Sequence, residues 1–278
     1  MLGSIIGDIV GSRFEWDNHK DKNFELFTDN CFFTDDTIMT LAVAKALLDC
    51  KGNYSDLSEK TISAMQEIGR PYPDCGYGGA FFHWIYSDDP KPYNSYGNGA
   101  AMRVSACGFI AETLNEAKEL SRKVTEVTHN HPEGIKGAEA TAVAIFLARK
   151  GYKINEIREY IHTHYYKMDF TLDEIRDTYQ FNEICQDTVP QAIMAFLEST
   201  SFEDAIRNAI SIGGDSDTLA AITGGIAEAY YKIPDEIKRN AKSYLDTRLL
   251  AILTRFESRN RILNISISGN MHAPQRKS

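Results

Sequence analysis

The sequence predicts an all-α fold. Apolar residues recur at helical spacing through most long segments, and Val- and Ile-rich alternation is nearly absent. The one long stretch that breaks the pattern, Pro71 to Gly99, is rich in Pro, Gly and Asn. Strand candidates are therefore few and short. The 278 residues are 43% hydrophobic, which suits one large core. No fixed-period repeat or low-complexity linker divides the chain, so residues 1–264 are expected to form a single compact domain. From Ile265 to Ser278 the periodicity is lost, and a poorly ordered tail is expected.

Taken in order, Ile38–Leu48 reads as a helix with a start signal in Thr34, Asp35 and Asp36. Leu57–Ile68, Ser105–Leu114, Glu116–Thr128, Lys136–Lys150 and Ile154–Tyr165 continue the helical pattern. Val189–Leu197 and Phe202–Ile212 follow. Leu219–Tyr231 is apolar on nearly all sides and is expected to be central and buried. Pro234–Phe256 completes the series as an interrupted helix. Pro71–Gly99 is expected to be a long aromatic-rich loop, of the kind that is often functional.

Composition narrows the function classes. There are 30 basic and 39 acidic residues, a net charge of −9, which disfavours nonspecific binding to nucleic acid or an anionic membrane. No apolar stretch is long enough to span a bilayer. The opening MLGSIIGDIVGS is a short apolar run broken by Asp8 with no basic segment before it, so a signal peptide is not expected. The five cysteines are widely spaced, odd in number and form no C-x-x-C pair, so reduced thiols and a cytoplasmic location are expected. The sequence carries no signal for an oligomeric state.

Two segments share one design. Phe33-Thr34-Asp35-Asp36-Thr37 opens one helix, and Gly213-Gly214-Asp215-Ser216-Asp217-Thr218 opens another. A helix N-terminus offers free N–H groups and partial positive charge, which favour ionised carboxylates and hold them rigidly. The diglycine permits a tight turn before the second helix. Taken singly, each segment is an ordinary cap. If the two face one another, four carboxylates converge and repel unless cations lie between them. Oxygen ligands without nearby Cys or His suit magnesium, manganese or calcium better than zinc. Asp8 and Glu15, about two helical turns apart, share a face if one helix carries both. The alternative is a solvated N-terminal helix with incidental acids. His129 and His131 form an H-x-H that is a poor zinc pair and reads equally as hydrogen-bonded loop histidines. Ser95-Tyr96-Gly97-Asn98-Gly99 offers backbone N–H groups, a hydroxyl and glycines that let the chain approach a phosphate, or else forms a plain turn. Of the aromatics Tyr77, Phe81, Trp84 and Tyr96, only Tyr96 is expected to reach a ligand. Arg103 supports either a carboxylate or a phosphate.

In order, GDIVGSRFE (7–15), FTDDT (33–37), SYGNGAAMRVS (95–105), THNHPEGIKGAEATA (128–142) and GGDSDTLAAITGGIAEAYY (213–231) resemble the ADP-ribosylglycohydrolase family. That family includes the dinitrogenase-reductase-activating glycohydrolases and the ADP-ribosyl-acceptor hydrolases. The resemblance implies an orthogonal all-α fold with two divalent cations, Mg2+ or Mn2+. It implies Thr34, Asp35, Asp36, Asp215, Asp217 and Thr218 as metal ligands. Glu15 and Asp36 are implied as candidates for the catalytic acid or base. Ser95, Tyr96, Gly97, Asn98, Gly99 and His129 are implied as substrate contacts. The implied reaction releases ADP-ribose from an ADP-ribosylated protein or small molecule, by attack at the anomeric carbon of a ribose whose hydroxyls the cations hold. Where some relatives carry glycine before the 95–99 loop, this chain has Asn94. A carboxylate–metal nucleotide phosphohydrolase and a non-catalytic ADP-ribose-binding module are the rival readings.

Overall fold

The computed structural model describes residues 1–270, with side chains to 259. Its helices are α1 (Leu2–Gly11), α2 (Asp35–Asp49), α3 (Leu57–Gly69), α4 (Gly79–Tyr86), α5 (Gly99–Met102), α6 (Ser105–Ile110), α7 (Leu114–Thr125) and α8 (Pro132–Arg149). They continue with α9 (Ile154–His164), α10 (Leu172–Ile175), α11 (Cys185–Leu197), α12 (Phe202–Ser211), α13 (Ser216–Tyr230), α14 (Asp235–Ser243) and α15 (Thr247–Asn270). The described residues contain no strand, and one isolated antiparallel bridge joins Gly97 to Ile184. The fold is all-α, as the periodicity predicts.

α13 is central. Every residue from Ser216 to Ala227 is buried, and the helix packs against α1, α8, α11 and α12. Its other neighbour of consequence is unexpected. All ten residues of α1 are buried, so the segment is a core element and not a solvated helix. Gly3, Gly7 and Gly11 recur every fourth residue and share one face. A Cβ on Gly7 would lie 1.9 Å from the Ala220 carbonyl oxygen, and one on Gly3 would lie 2.1 Å from that of Gly224. Opposite, a Cβ on Gly224 would lie 2.1 Å from the Gly3 carbonyl oxygen. The two backbones touch, which only glycine permits. This docking fixes whatever follows α1 against the start of α13.

The structure departs from expectation at several segments. α1 ends at Gly11 and passes into a 3-10 turn, Ser12–Phe14, so Glu15 does not ride on the same helix as Asp8. α4 lies inside the segment expected to be a loop. Its Phe81, Trp84 and Ile85 fall at helical spacing and are buried, and that burial outweighs the flanking glycines. α11 begins at Cys185, before the expected Val189, and accommodates Pro190 in its N-terminal half. The backbone of α15 runs to Asn270, into the segment expected to be poorly ordered; 271–278 lies outside the described residues. No helix of the described residues is long and apolar enough to cross a membrane.

Gly7→Ala is expected to destabilise the protein by about 2 kcal/mol or more, because the added methyl meets backbone that cannot yield. Gly79→Ala, whose Cβ would meet nothing within 4 Å, is expected to be neutral or slightly stabilising. Urea unfolding of the two variants checks this.

Candidate functional site

Asp8 connects α1 to α2. Fully buried, it accepts the Thr34 and Thr37 backbone N–H groups at 3.0 Å each and the Thr34 hydroxyl at 2.7 Å. These bonds satisfy free donors at the start of α2. Burial still outweighs them and raises the carboxyl to about 6. The Thr34 oxygen in turn caps α2 by accepting the Asp36 N–H at 3.2 Å.

At the other end of the contact, Gly213 and Gly214 adopt φ of +68° and +79°, the left-handed turn that the diglycine predicts. Asn18 clamps this turn. It accepts the Gly214 N–H at 2.7 Å and donates to the Gly214 carbonyl at 2.9 Å. The same amide donates to the Glu15 carbonyl at 2.9 Å, so one side chain ties Glu15 to the start of α13.

The two acidic segments meet. Thr218 donates its hydroxyl to Asp36 Oδ2 at 3.1 Å, joining the N-termini of α2 and α13. Carboxylate oxygens of Glu15, Asp215 and Asp217 all lie within 4.8 Å of one another. Asp36, Asp215, Asp217 and Thr218 are buried, whereas Asp35 and Glu15 are partly exposed. Glu15, Asp35, Asp36, Asp215, Asp217 and Thr218 all line a cleft of about 420 Å³. Thr34 does not line it; its hydroxyl is engaged with Asp8 and the cap.

Burial is the main cause that raises every one of these acids, with neighbouring negative charge adding to it for most. Glu15 is pushed to about 7 by burial and then by Asp215 and Asp8. Asp35 is pushed to about 8 by burial and then by the charges of Asp8 and Asp215. Asp36 and Asp217 rise well above the carboxylate range, again through burial first. Asp215 is raised by burial against hydrogen bonds that favour its ionised form, including that from Asn98 Nδ2 at 2.7 Å. Two unit charges at this separation repel by about 3 kcal/mol in a protein-like medium, so a fully ionised cluster would consume much of a domain's stability. Asp36 Oδ1 and Asp217 Oδ1 are buried with no hydrogen-bond partner. Buried, orphaned, hard anionic oxygens on a rigid frame fit divalent cations.

The 95–99 segment also lines the cleft. Its bridge to the start of α11 runs through Asn98 N–H to Glu183 O at 2.7 Å and Cys185 N–H to Tyr96 O at 3.0 Å. Asn94 enters it at φ +56°, a left-handed position that Asn tolerates better than most residues. Ser95 Oγ accepts the Gly97 N–H at 3.1 Å. Asn98 is buried and turns its amide to Asp215 and to Thr188 Oγ1, so it positions an acid of the cluster. Tyr96 is 45% exposed and stands against the His131 ring, while Phe81 and Trp84 are core and stack on each other. His131 caps α8 by accepting the Glu133 N–H, and His129 is held by Thr128, so the H-x-H serves two separate hydrogen bonds. Arg103 contacts no carboxylate and pairs instead with Thr125 O and Thr128 Oγ1. Asn18 went unread, and Asp8 was read only as an acid sharing a face with Glu15, not as the brace of α2: their partners lie 196 and 26 positions away, and no local spacing announces them.

The ADP-ribosylglycohydrolase family model matches residues 1–261. The chain is similar to ADP-ribosylhydrolase ARH3 of Homo sapiens, at 24% identity over 90% of this chain and 90% of that one. It is similar to the ADP-ribosyl-[dinitrogen reductase] glycohydrolase of Rhodospirillum rubrum, at 27% identity over 78% of this chain and 74% of that one. Among solved structures it resembles an ADP-ribosylglycohydrolase-related protein complex with a TM-score of 0.65 and 22% identity, covering 90% of this chain and 94% of that one. The chain belongs to the ADP-ribosylglycohydrolase family.

In cation-free buffer the raised acids set the sign of the pH dependence. Their folded pKa values exceed the ordinary values of 3.8 and 4.5, so the folded chain holds protons that the unfolded chain releases. This contribution is complete at low pH and is lost as pH rises through the folded values. The melting temperature is therefore expected to fall between about pH 5 and about pH 8, and Asp217→Asn to flatten the fall. Melting curves across that range, rising instead of falling, would contradict it.

Proposed function

We propose that this member of the ADP-ribosylglycohydrolase family is a divalent-cation-dependent hydrolase that releases ADP-ribose from a modified protein side chain or a small molecule. The observation that carries the reading is the convergence of Glu15, Asp36, Asp215 and Asp217 in one cleft, with buried Oδ1 atoms of Asp36 and Asp217 unpartnered. At about 420 Å³ the cleft is of ligand-binding size. Asp35, Asp36, Asp215, Asp217 and Thr218 are the residues that would hold Mg2+ or Mn2+, with Glu15 beside them. When bound, such cations supply Lewis acidity to ribose hydroxyls and an activated water.

The chain's own residues account for the rest. Breaking a glycosidic bond develops positive charge at the anomeric carbon, which a cleft walled by acids favours. Between the two candidates for proton transfer, Glu15 is the more accessible and is raised to about 7, near the pH at which a general acid or base works best. Asp36 is buried with one oxygen on Thr218, which suits a ligand better. The 95–99 turn lines the same cleft with Ser95, Gly97 and Gly99, apt for a diphosphate, and exposed Tyr96 is apt for a base. The cytoplasmic setting belongs to the same proposal and rests on the odd number and wide spacing of the five cysteines in the sequence.

Turnover of arginine-, serine- and nucleotide-linked ADP-ribosyl substrates, with and without chelator, tests the reading. Intact ADP-ribose is the expected product, and chelator is expected to abolish its release. Asp36→Asn and Asp217→Asn are expected to lose at least about a hundredfold in rate while staying folded. AMP or free phosphate as product would instead identify a phosphohydrolase, and tight ADP-ribose binding without turnover a binding module. Asn98→Ala removes the partner that orients Asp215 and is expected to weaken Mn2+ binding about tenfold or more, read by titration calorimetry.

A further inference from the structure

Arg103 is the one lysine or arginine lining the cleft among the described residues, yet its head group does not face an acid. It is 1% exposed, and its Nη2 donates to Thr128 Oγ1 at 2.5 Å. A guanidinium can only donate, so the Thr128 hydroxyl is the acceptor there and its own hydrogen must go elsewhere. Two acceptors are in reach: His129 Nδ1 at 2.7 Å and the Thr125 carbonyl at 3.4 Å. A hydrogen sent to the Thr125 carbonyl would leave Thr128 to accept from a protonated Nδ1, which the neighbouring Arg103 donor opposes. The same Arg103 Nη2 lies 3.4 Å from His129 Nδ1, so a proton on Nδ1 would face a donor that cannot turn into an acceptor. The Arg103 contact requires a lone pair on Nδ1, and the Thr128 hydroxyl hydrogen then turns to that lone pair.

The ring's other nitrogen then carries the hydrogen. Its direction is fixed by the glycines of the turn: a Cβ on Gly99 would lie 3.3 Å from His129 Nε2 and one on Gly97 3.6 Å from it. Gly134 leaves room behind the ring, where a Cβ would meet His129 Cβ at 3.2 Å. The imidazole is 5% exposed. Burial, and then the Arg103 charge, push its pKa well below the ordinary value, so the ring is neutral.

We infer that Arg103 and Thr128 are positioning residues that fix His129 as the Nε2–H tautomer, so that the cleft presents a neutral N–H donor beside Gly97 and Gly99 to a phosphate oxygen of the substrate. The identity of that oxygen rests on the function proposed above; the relay itself does not. A neutral donor has a physical advantage here. In a cleft with Glu15, Asp35 and Asp36, a cationic histidine would be drawn to a carboxylate, whereas a neutral N–H stays available. The opposite tautomer would aim a lone pair at an anion.

Long-range nitrogen–proton NMR of the ligand-free protein reads the tautomer directly. The wild-type His129 is expected to carry its proton on Nε2. Thr128→Val keeps the shape and removes the hydroxyl, and is expected to mix the tautomers and raise KM about tenfold, with kcat changed less than about twofold. His129→Gln, whose amide N–H reaches the position of Nε2, is expected to bind ADP-ribose within about threefold of wild type, and His129→Leu about tenfold more weakly or worse. An Nδ1-protonated or doubly protonated ring in the wild type overturns the relay. So does Thr128→Val with an unchanged spectrum. Equal ADP-ribose affinity of the Gln and Leu variants overturns the donor role. Should the wild type not bind ADP-ribose at all, the proposed function and the donor role fall together, while the spectrum still decides the relay.

Discussion

Enclosing several carboxylates in a helical core sets a constraint that the rest of the molecule answers. Each of the acids at the start of α2 and α13 is raised by burial, and nearly all by one another as well. Left ionised and alone, they would repel by an amount comparable to the stability of a whole domain. The fold nonetheless holds them together, with Asp36 and Asp217 each keeping one oxygen free of any partner. Such a site is unstable as an anion and satisfied by protons or by cations. A helix N-terminus contributes on the order of 1 kcal/mol per carboxylate, too little to hold the cluster unaided.

The scaffold explains how the strain is borne. Glycine-only contact between α1 and α13 brings two backbones together at a distance that leaves no room for adjustment. Asp8, at the middle of α1, then pins the start of α2, and Asn18, just beyond it, pins the start of α13. Both helix N-termini are thus indexed to one short N-terminal segment. Chemistry of this kind needs groups held to within a fraction of an ångström, and helix ends braced by buried hydrogen bonds achieve that better than loops.

The fold class was legible because helical periodicity is strong and alternation is absent, and the burial of α13 followed from its all-round apolar surface. The two acidic helix starts were legible for the same reason: caps and diglycine are local signals. What stayed hidden is what depends on distant partners. The helix α1 read equally as a solvated helix with incidental acids, because its glycines show their use only when Ala220 and Gly224 are set against them. Thr34, a cation ligand by resemblance, also gives its hydroxyl hydrogen to Asp8 and one lone pair to the Asp36 N–H. Asn98, a substrate contact by resemblance, lines the cleft and also turns its amide N–H to Asp215. Arg103 offered two readings, a carboxylate or a phosphate; it touches no carboxylate, and it donates to Thr125 and Thr128. In each case the residue type announced polarity, and only tertiary packing decided its partner.

The claim that cations replace protons on these acids is open to one direct measurement. In weakly buffered solution near pH 7, titration of the protein with Mn2+ is expected to release protons in step with binding, because carboxyls that are protonated in the cation-free cleft must ionise to become ligands. Saturable Mn2+ binding with no proton release, or proton release undiminished by Asp36→Asn and Asp217→Asn together, would contradict the account.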